Sequence, residues 1–260
     1  MRIDSRQNPI VKDVRSLHAK KGRRLLGLHL IEGEKLLYEA VSSNMHVQDV
    51  FVRDGAQISP ALLEAAKGAV YEVSQAVMEA LADTTTPQGV CATVRTPETV
   101  LPETVLPETG SAGMIVALDA LQDPGNLGAI LRTADAMGAV CVILGEGCVD
   151  PYSPKALRAA MGSTYHIPLV QGNLKDALQN LRQHAYCCMC GHLQGQERLP
   201  PMQDRCVIVI GNEGNGVDED IAALCVRVRL PMYGRAESLN ASMAAGLLMY
   251  EVAKVIHTDC

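Results

Sequence analysis

The apolar positions of this chain follow two rhythms that take turns. Short apolar runs read as strands, and stretches with apolar residues three or four apart read as amphipathic helices. Asn8-Pro9 opens the first helix, a capping side chain followed by proline in the first turn, and Ile10, Val14 and Leu17 mark its apolar face. A basic turn follows at 20–24. Strands at 28–31, 47–52, 70–73 and 89–94 then alternate with helices at 34–42, 61–67 and 75–81, which predicts a small α/β domain over residues 1–96.

The second half repeats the alternation. Strands are expected at 115–118, 140–144, 166–170, 186–190, 206–210 and 225–230, and helices at 126–137, 154–161, 174–184 and 219–224. A polar cluster of Glu237, Ser238 and Asn240 opens a last helix that runs to Ile256, with Leu239, Met243, Leu247 and Tyr250 at helical spacing. Strongly apolar strands alternating with helices mean a mostly parallel sheet covered on both faces, and ligands of such sheets sit beyond the strand C-termini. Between the halves, Pro97, Pro102 and Pro107 recur with Glu98, Glu103 and Glu108 behind them. Proline at that density blocks helix and central strand alike, so 97–112 reads as an extended linker and 113–260 as the second domain.

Composition narrows the class. With 260 residues, 48% hydrophobic and 20% charged, the chain reads as an ordinary globular protein. No apolar run reaches the length of a membrane span, residues 1–13 are unlike a signal peptide, and nine cysteines without a regular framework fit a reducing cytoplasm. The net charge of −6 is unevenly spread: residues 1–30 carry +6 and the remainder −12. Lys12, Arg15, Lys20, Lys21, Arg23 and Arg24 are therefore candidates for meeting the phosphates of a nucleic acid, against the plainer reading of a solvated helix face. With no Trp and one Phe, base stacking on an aromatic platform is not expected.

Three loops in the second half carry unusual chemistry. Asp123-Pro124-Gly125-Asn126-Leu127-Gly128 brings backbone amides to a helix start, in a helix that also bears Arg132. Taken alone, Arg132 reads as the surface partner of Asp135 three residues on. Gly211-Asn212-Glu213-Gly214-Asn215-Gly216 lets a flat ligand approach the main chain, but its spacing is neither the dinucleotide fingerprint nor a P-loop. A neutral or cationic adenosine compound suits a loop carrying Glu213 better than a pyrophosphate does. The third loop is Leu230 to Ser242. The Cys187-Cys188-Met189-Cys190 run with His192 has one C-x-x-C where a zinc site shows two ligand pairs, so these cysteines read as apolar packing. Asp218-Glu219-Asp220 reads as an acidic helix start complementing the dipole.

Taken together and in this order, the loops resemble the SpoU (TrmH) family of RNA ribose 2′-O-methyltransferases, in the SPOUT class. The resemblance rests on Asn126, Gly128 and Arg132; on Gly211, Glu213, Gly214 and Gly216; and on Pro231, Met232, Gly234, Ser238, Leu239, Asn240 and Ser242. Residues 30–40, with Pro87-Gln88-Gly89-Val90, look like the family's small substrate-binding domain, which is similar to ribosomal RNA-binding proteins. The resemblance implies a trefoil knot at the C-terminus and a homodimer through the knot and the last helix. It implies S-adenosylmethionine bound at Ile210, Gly211, Gly214, Leu230, Met232 and Leu239, with no metal. It implies transfer of a methyl group to a ribose 2′-hydroxyl of RNA, ribosomal before transfer RNA, by Arg132, Glu213, Ser238, Asn240 and Asn126. An inactive knot-fold RNA-binding or assembly factor is the alternative; the intact polar set favours the enzyme. A nicotinamide dehydrogenase is disfavoured by loop order and spacing.

Overall fold

The computed structural model describes residues 1–98, 113–202 and 204–257. The linker expected at 97–112 thus lies, beyond Glu98, outside the described residues. The described residues pack as two units, 1–98 with 150–166, and 113–149 with the described part of 167–257. Residues 150–166, which the expected boundaries assigned to the second domain, therefore pack with the first.

The first unit holds a five-stranded mixed sheet of β1 (Arg2–Ile3), β2 (Leu28–Glu32), β3 (Val47–Arg53), β4 (Ala69–Val73) and β5 (Val90–Arg95), in the order β1-β4-β3-β5-β2. Its helices are α1 (Pro9–Ser16), α2 (Lys20–Leu26), α3 (Glu34–Ser42), α4 (Pro60–Ala66), α5 (Gln75–Leu81) and α7 (Pro154–Ala160). The side chains of α1 and α5 fill one core cluster around Phe51 and Leu30, and those of α3, α4 and α7 fill another around Val50 and Ala92. The Asn8 side chain accepts from the Ile10 N–H and caps α1 as expected.

Residues 20–24, expected as a basic turn, lie within α2, and β1 was not foreseen. The reason for α2 is tertiary. Gly22 lies against α1, where a Cβ would sit 2.0 Å from the Ser16 carbonyl oxygen, and Arg23 turns inward. The Arg23 side chain is 6% exposed, donates to the carbonyls of Leu17 and His18, and pairs with Asp150 at 2.7 Å. The rest of 150–166 docks in the same way. Tyr165 shares a 2.8 Å hydrogen bond with the buried His29, Tyr152 stacks obliquely on that ring, and Arg158 pairs with Asp83 at 2.7 Å.

In the second unit, β6 (Gly113–Leu118), β7 (Cys141–Leu144), β8 (Leu169–Gln171), β9 (Cys187–Gln196), β10 (Arg205–Ile210) and β11 (Val226–Val228) form one sheet in the order β11-β9-β10-β6-β7-β8. Every pairing in it is parallel. Helices α6 (Pro124–Ala136), α8 (Leu174–Gln183), α9 (Glu219–Ala222) and α10 (Ala241–Ile256) complete the unit. β6 and β7 are buried throughout, which is why they read as unbroken apolar runs.

The chain runs outward from β6 to β7 and β8, then crosses to the other side for β9, β10 and β11. The direction reverses between β6 and β10, and such a switch opens a crevice at the carboxyl ends of the two strands. Several boundaries differ from expectation. β9 extends well past Cys190, β11 is shorter than 225–230, and the last helix starts at Ala241, which leaves Glu237 and Ser238 in the loop before it. The stripe of Leu239, Met243, Leu247 and Tyr250 is exposed, and the opposite face of α10 (Ala245, Leu248, Met249, Val252) enters the core.

Candidate active site

Two loops meet at the switch point. Asp119 to Asp123 follows β6, and Gly211 to Val217 follows β10. The second is a tight turn closed by reciprocal backbone hydrogen bonds of 2.9 Å between Asn212 and Gly216. Only glycine fits at 211, because a Cβ there would stand 2.1 Å from the main chain of Gly216. Gly216 itself needs φ +74°, which L side chains rarely adopt.

This turn presents Glu213 to the start of α6. The carboxylate accepts from the Gln122 N–H (3.2 Å), the Asp123 N–H (3.1 Å) and the Asn126 side-chain amide (3.0 Å). Partial burial opposes its ionisation. The donated hydrogen bonds, from Asn126 first, then from its own backbone N–H and those of Asp123 and Gln122, outweigh that and hold its pKa below the ordinary carboxylate value. A negative charge at a helix N-terminus is further favoured by the dipole.

From Glu213 the polar chain continues in one direction. Because Asn126 spends its NH2 on Glu213, its oxygen faces Asn240 and accepts from the Asn240 amide at 2.9 Å. Asn240 in turn keeps its oxygen for the N-terminus of α10, where it accepts from the N–H and hydroxyl of Ser242 at 2.9 and 2.6 Å. Asp123 caps α6 by accepting from the Asn126 N–H at 2.8 Å. Three stretches far apart in sequence are thus joined through one carboxylate and two carboxamides, each used on both its faces.

The structure brings together Asn126, Glu213 and Asn240 of the expected set. Arg132, on α6, and Ser238, in the loop before α10, are exposed, and among the described residues neither side chain has a hydrogen-bond or ion-pair partner. The surface pair Arg132–Asp135 does not form. Among the residues expected to hold a cofactor, Ile210 is the buried last residue of β10 and Gly211 and Gly214 lie in the turn; Leu230, Met232 and Leu239 lie between β11 and α10. Sequence reading passed over Asn212 and Asp119. The Asn212 side chain bridges to the Ala120 carbonyl, and Asp119 accepts from the Asp218 N–H at 2.7 Å. Cys188 and Cys190 are buried in the core as expected, and burial raises the Cys188 pKa to about 12.

The basic N-terminal segment divides in two. Arg2 and Arg6 are paired with acidic neighbours, and Arg23, expected among the phosphate contacts, is buried and paired with Asp150. Lys12, Arg15, Lys20, Lys21 and Arg24 are exposed, with no side-chain partner among the described residues. Lys12 and Arg15 line a shallow groove with His18 and Asp83.

A parallel sheet with its polar loops interlocked at the switch point, preceded by a small mixed-sheet unit, is an architecture this chain shares with solved SPOUT methyltransferases. The chain belongs to the SpoU rRNA Methylase family, which residues 113–250 match, and residues 8–92 match the MRM3-like substrate binding domain. It is 38% identical to the 23S rRNA (guanosine(2553)-2′-O)-methyltransferase RlmP of Bacillus subtilis, over 96% of this chain and 98% of that one. Among solved structures, an AdoMet-bound rRNA methyltransferase from Sinorhizobium meliloti superposes with a TM-score of 0.86 at 32% identity, covering 98% of this chain and 97% of the other. An RNA 2′-O ribose methyltransferase superposes with a TM-score of 0.85 at 31% identity, covering 99% of this chain and all of the other. No helix among the described residues is long and apolar enough to cross a membrane.

Proposed function

We propose that this protein transfers a methyl group from S-adenosylmethionine to a ribose 2′-hydroxyl of ribosomal RNA in the cytoplasm. The observation that carries the reading is the Glu213–Asn126–Asn240 chain at the switch point, which unites the three loops on which the family resemblance rests. The cofactor fits the turn. Gly214 and Gly216 leave the tip of the turn open for a nucleoside, and the Glu213 carboxylate suits a cationic ligand. Ile210, Leu230, Met232 and Leu239 complete the proposed cofactor pocket, and the C-terminal threading implied by the family belongs to the same proposal.

S-adenosylmethionine supplies a methyl group already activated on a sulfonium, so the protein's task is alignment and proton removal. Arg132 is the free cation of α6. A guanidinium hardly ever surrenders its proton, so its role is to orient the 2′-hydroxyl and the adjoining phosphate and to stabilise the developing alkoxide. The proton leaves for that phosphate or for water. Glu213, Asn126 and Asn240 hold the loops in register, and Ser238 stands beside the cap of α10 to contact substrate. Arg132→Ala keeps thermal protection by S-adenosylhomocysteine and loses methyl transfer; retained turnover refutes its assignment.

Lys12, Arg15, Lys20, Lys21 and Arg24 are the proposed phosphate contacts, supported by their lack of acidic partners. The reading also includes a homodimer. The exposed stripe on α10, with Met243 59% and Tyr250 53% exposed, is an apolar face left open among the described residues, and a second copy of the same helix is its proposed occupant.

A further inference from the structure

We infer that Asn212 is a positioning residue that sets the geometry of the catalytic loops by tying the turn after β10 to the loop after β6. The inference rests on the methyl-transfer reading of this site and adds a residue outside the set through which the family was recognised. The Asn212 carboxamide uses both of its ends. Its oxygen accepts from the Gly214 N–H at 2.9 Å and the Asn215 N–H at 3.2 Å, which folds the tip of its own turn. Its NH2 donates to the Ala120 carbonyl at 2.9 Å, in the other loop.

The acceptor end shows that the tie has mechanical consequences. Ala120 sits at φ +49°, a left-handed conformation that an alanine adopts only when its surroundings impose it. Gly147 packs beneath it, where even a methyl group on the glycine would be 3.2 Å from the Ala120 Cβ. Ala120 is held from one side by this packing and from the other by Asn212. Two and three residues further on are the Gln122 and Asp123 amides that grip Glu213. The clasp is therefore reciprocal. Asn212 gives a hydrogen bond to the first loop, and its sequence neighbour Glu213 receives two from the same loop and a third from Asn126 at the start of α6. Releasing the Asn212 end frees Ala120 to relax toward negative φ, which swings the peptide groups that hold Glu213 and, through Asn126, the link to Asn240.

Two variants separate this role from simple turn-building. Asn212→Ser keeps a short oxygen for the turn tip but cannot reach Ala120. Asn212→Asp keeps the tip acceptor and sets an oxygen against the Ala120 carbonyl. Both should retain the cofactor-facing turn and lose the tie. In the full-length protein, the affinity for S-adenosylhomocysteine should stay within about threefold of wild type while kcat on rRNA falls roughly tenfold to a hundredfold, as expected for a small misplacement of aligned groups. Amide hydrogen exchange in a peptide spanning 119–123 should quicken in both variants, with exchange in β6 and β10 unchanged. That readout needs no turnover, so it tests the tie even where wild-type protein proves inactive, an outcome that counts against the methyl-transfer reading alone. Unchanged exchange over 119–123 overturns the inference, as does an unchanged kcat. So does a parallel loss of cofactor affinity and kcat, which would make Asn212 a builder of its own turn and nothing more.

Discussion

Replacing Glu213 by Gln removes the charge from the centre of the clasp and leaves its shape almost intact. The carboxylate now accepts three hydrogen bonds, two of them from the backbone amides of Gln122 and Asp123. A glutamine oxygen can keep the pair that converges on one atom, from Asp123 and Asn126, but its NH2 then faces the Gln122 N–H, donor against donor. Hydrogen bonds to a charged acceptor are worth about 1.5–3 kcal/mol and neutral ones about 0.5–1.5 kcal/mol. Glu213 is exposed, so solvent screening places the difference at the low end, and the expected loss is about 1–2 kcal/mol at neutral pH. For a protein of this size that is a fall in Tm of roughly 3–6 °C.

The pH dependence gives the sharper test. A carboxyl whose folded pKa lies below its ordinary value of 4.5 contributes stability that is fully present above 4.5 and is lost as pH falls through the depressed value. The gap between wild type and Glu213→Gln should therefore be open at pH 7 and close in acid, where protonated Glu213 resembles glutamine. Thermal denaturation across this range, with methyl transfer measured at neutral pH, reads both effects. Equal Tm values at pH 7, or a gap that persists unchanged in acid, would refute the account of Glu213 as the anchoring charge.

Other outcomes follow from the same structure. Lys20→Ala with Lys21→Ala should weaken binding to rRNA without regard to sequence and flatten the dependence of log affinity on log salt by between one and two, measured by fluorescence anisotropy; an unchanged slope places the RNA elsewhere. Leu247→Glu puts a charge in the exposed stripe of α10 and should give a monomer in analytical ultracentrifugation where wild type sediments as a dimer. Wild type sedimenting as a monomer removes the dimer from the account. Burial, with a smaller contribution from the Arg23 charge, lowers the His29 pKa from its ordinary 6.5 to about 3. The unfolded chain then binds a proton that the folded one refuses, so stability falls as pH drops from about 6.5 toward 3, by a total on the order of 5 kcal/mol. Denaturation of His29→Gln should be less sensitive over that window, and an equal sensitivity contradicts the neutral, buried ring.

What could be read from the chain divides along a physical line. Helices α3 and α5 lie where local periodicity placed them, because their apolar faces are written at three- and four-residue spacing. Asn126, Glu213 and Asn240 were legible as a set, because the three loops that carry them, taken together and in order, resemble one family. Helix α2 was not legible. Its Lys-Lys-Gly-Arg-Arg start reads as a turn until Arg23 is seen bonded to Asp150, 127 residues away in the chain. The docking of 150–166 on the first unit depends on similarly distant partners, His29 and Asp83 among them. Asn212 was passed over because its neighbouring glycines drew the reading, while its partner, the Ala120 carbonyl, carries no side-chain signature at all.

The central claim is tested most directly by incubating the purified protein with unmethylated 23S rRNA and S-adenosylmethionine carrying a labelled methyl group, followed by alkaline hydrolysis of the RNA. A methyl group on the ribose 2′-oxygen blocks cleavage at that position, so the account predicts label in alkali-resistant dinucleotides, abolished by Arg132→Ala. Label recovered on free bases or ordinary mononucleotides, or no transfer to rRNA by wild-type protein that binds the cofactor, contradicts it.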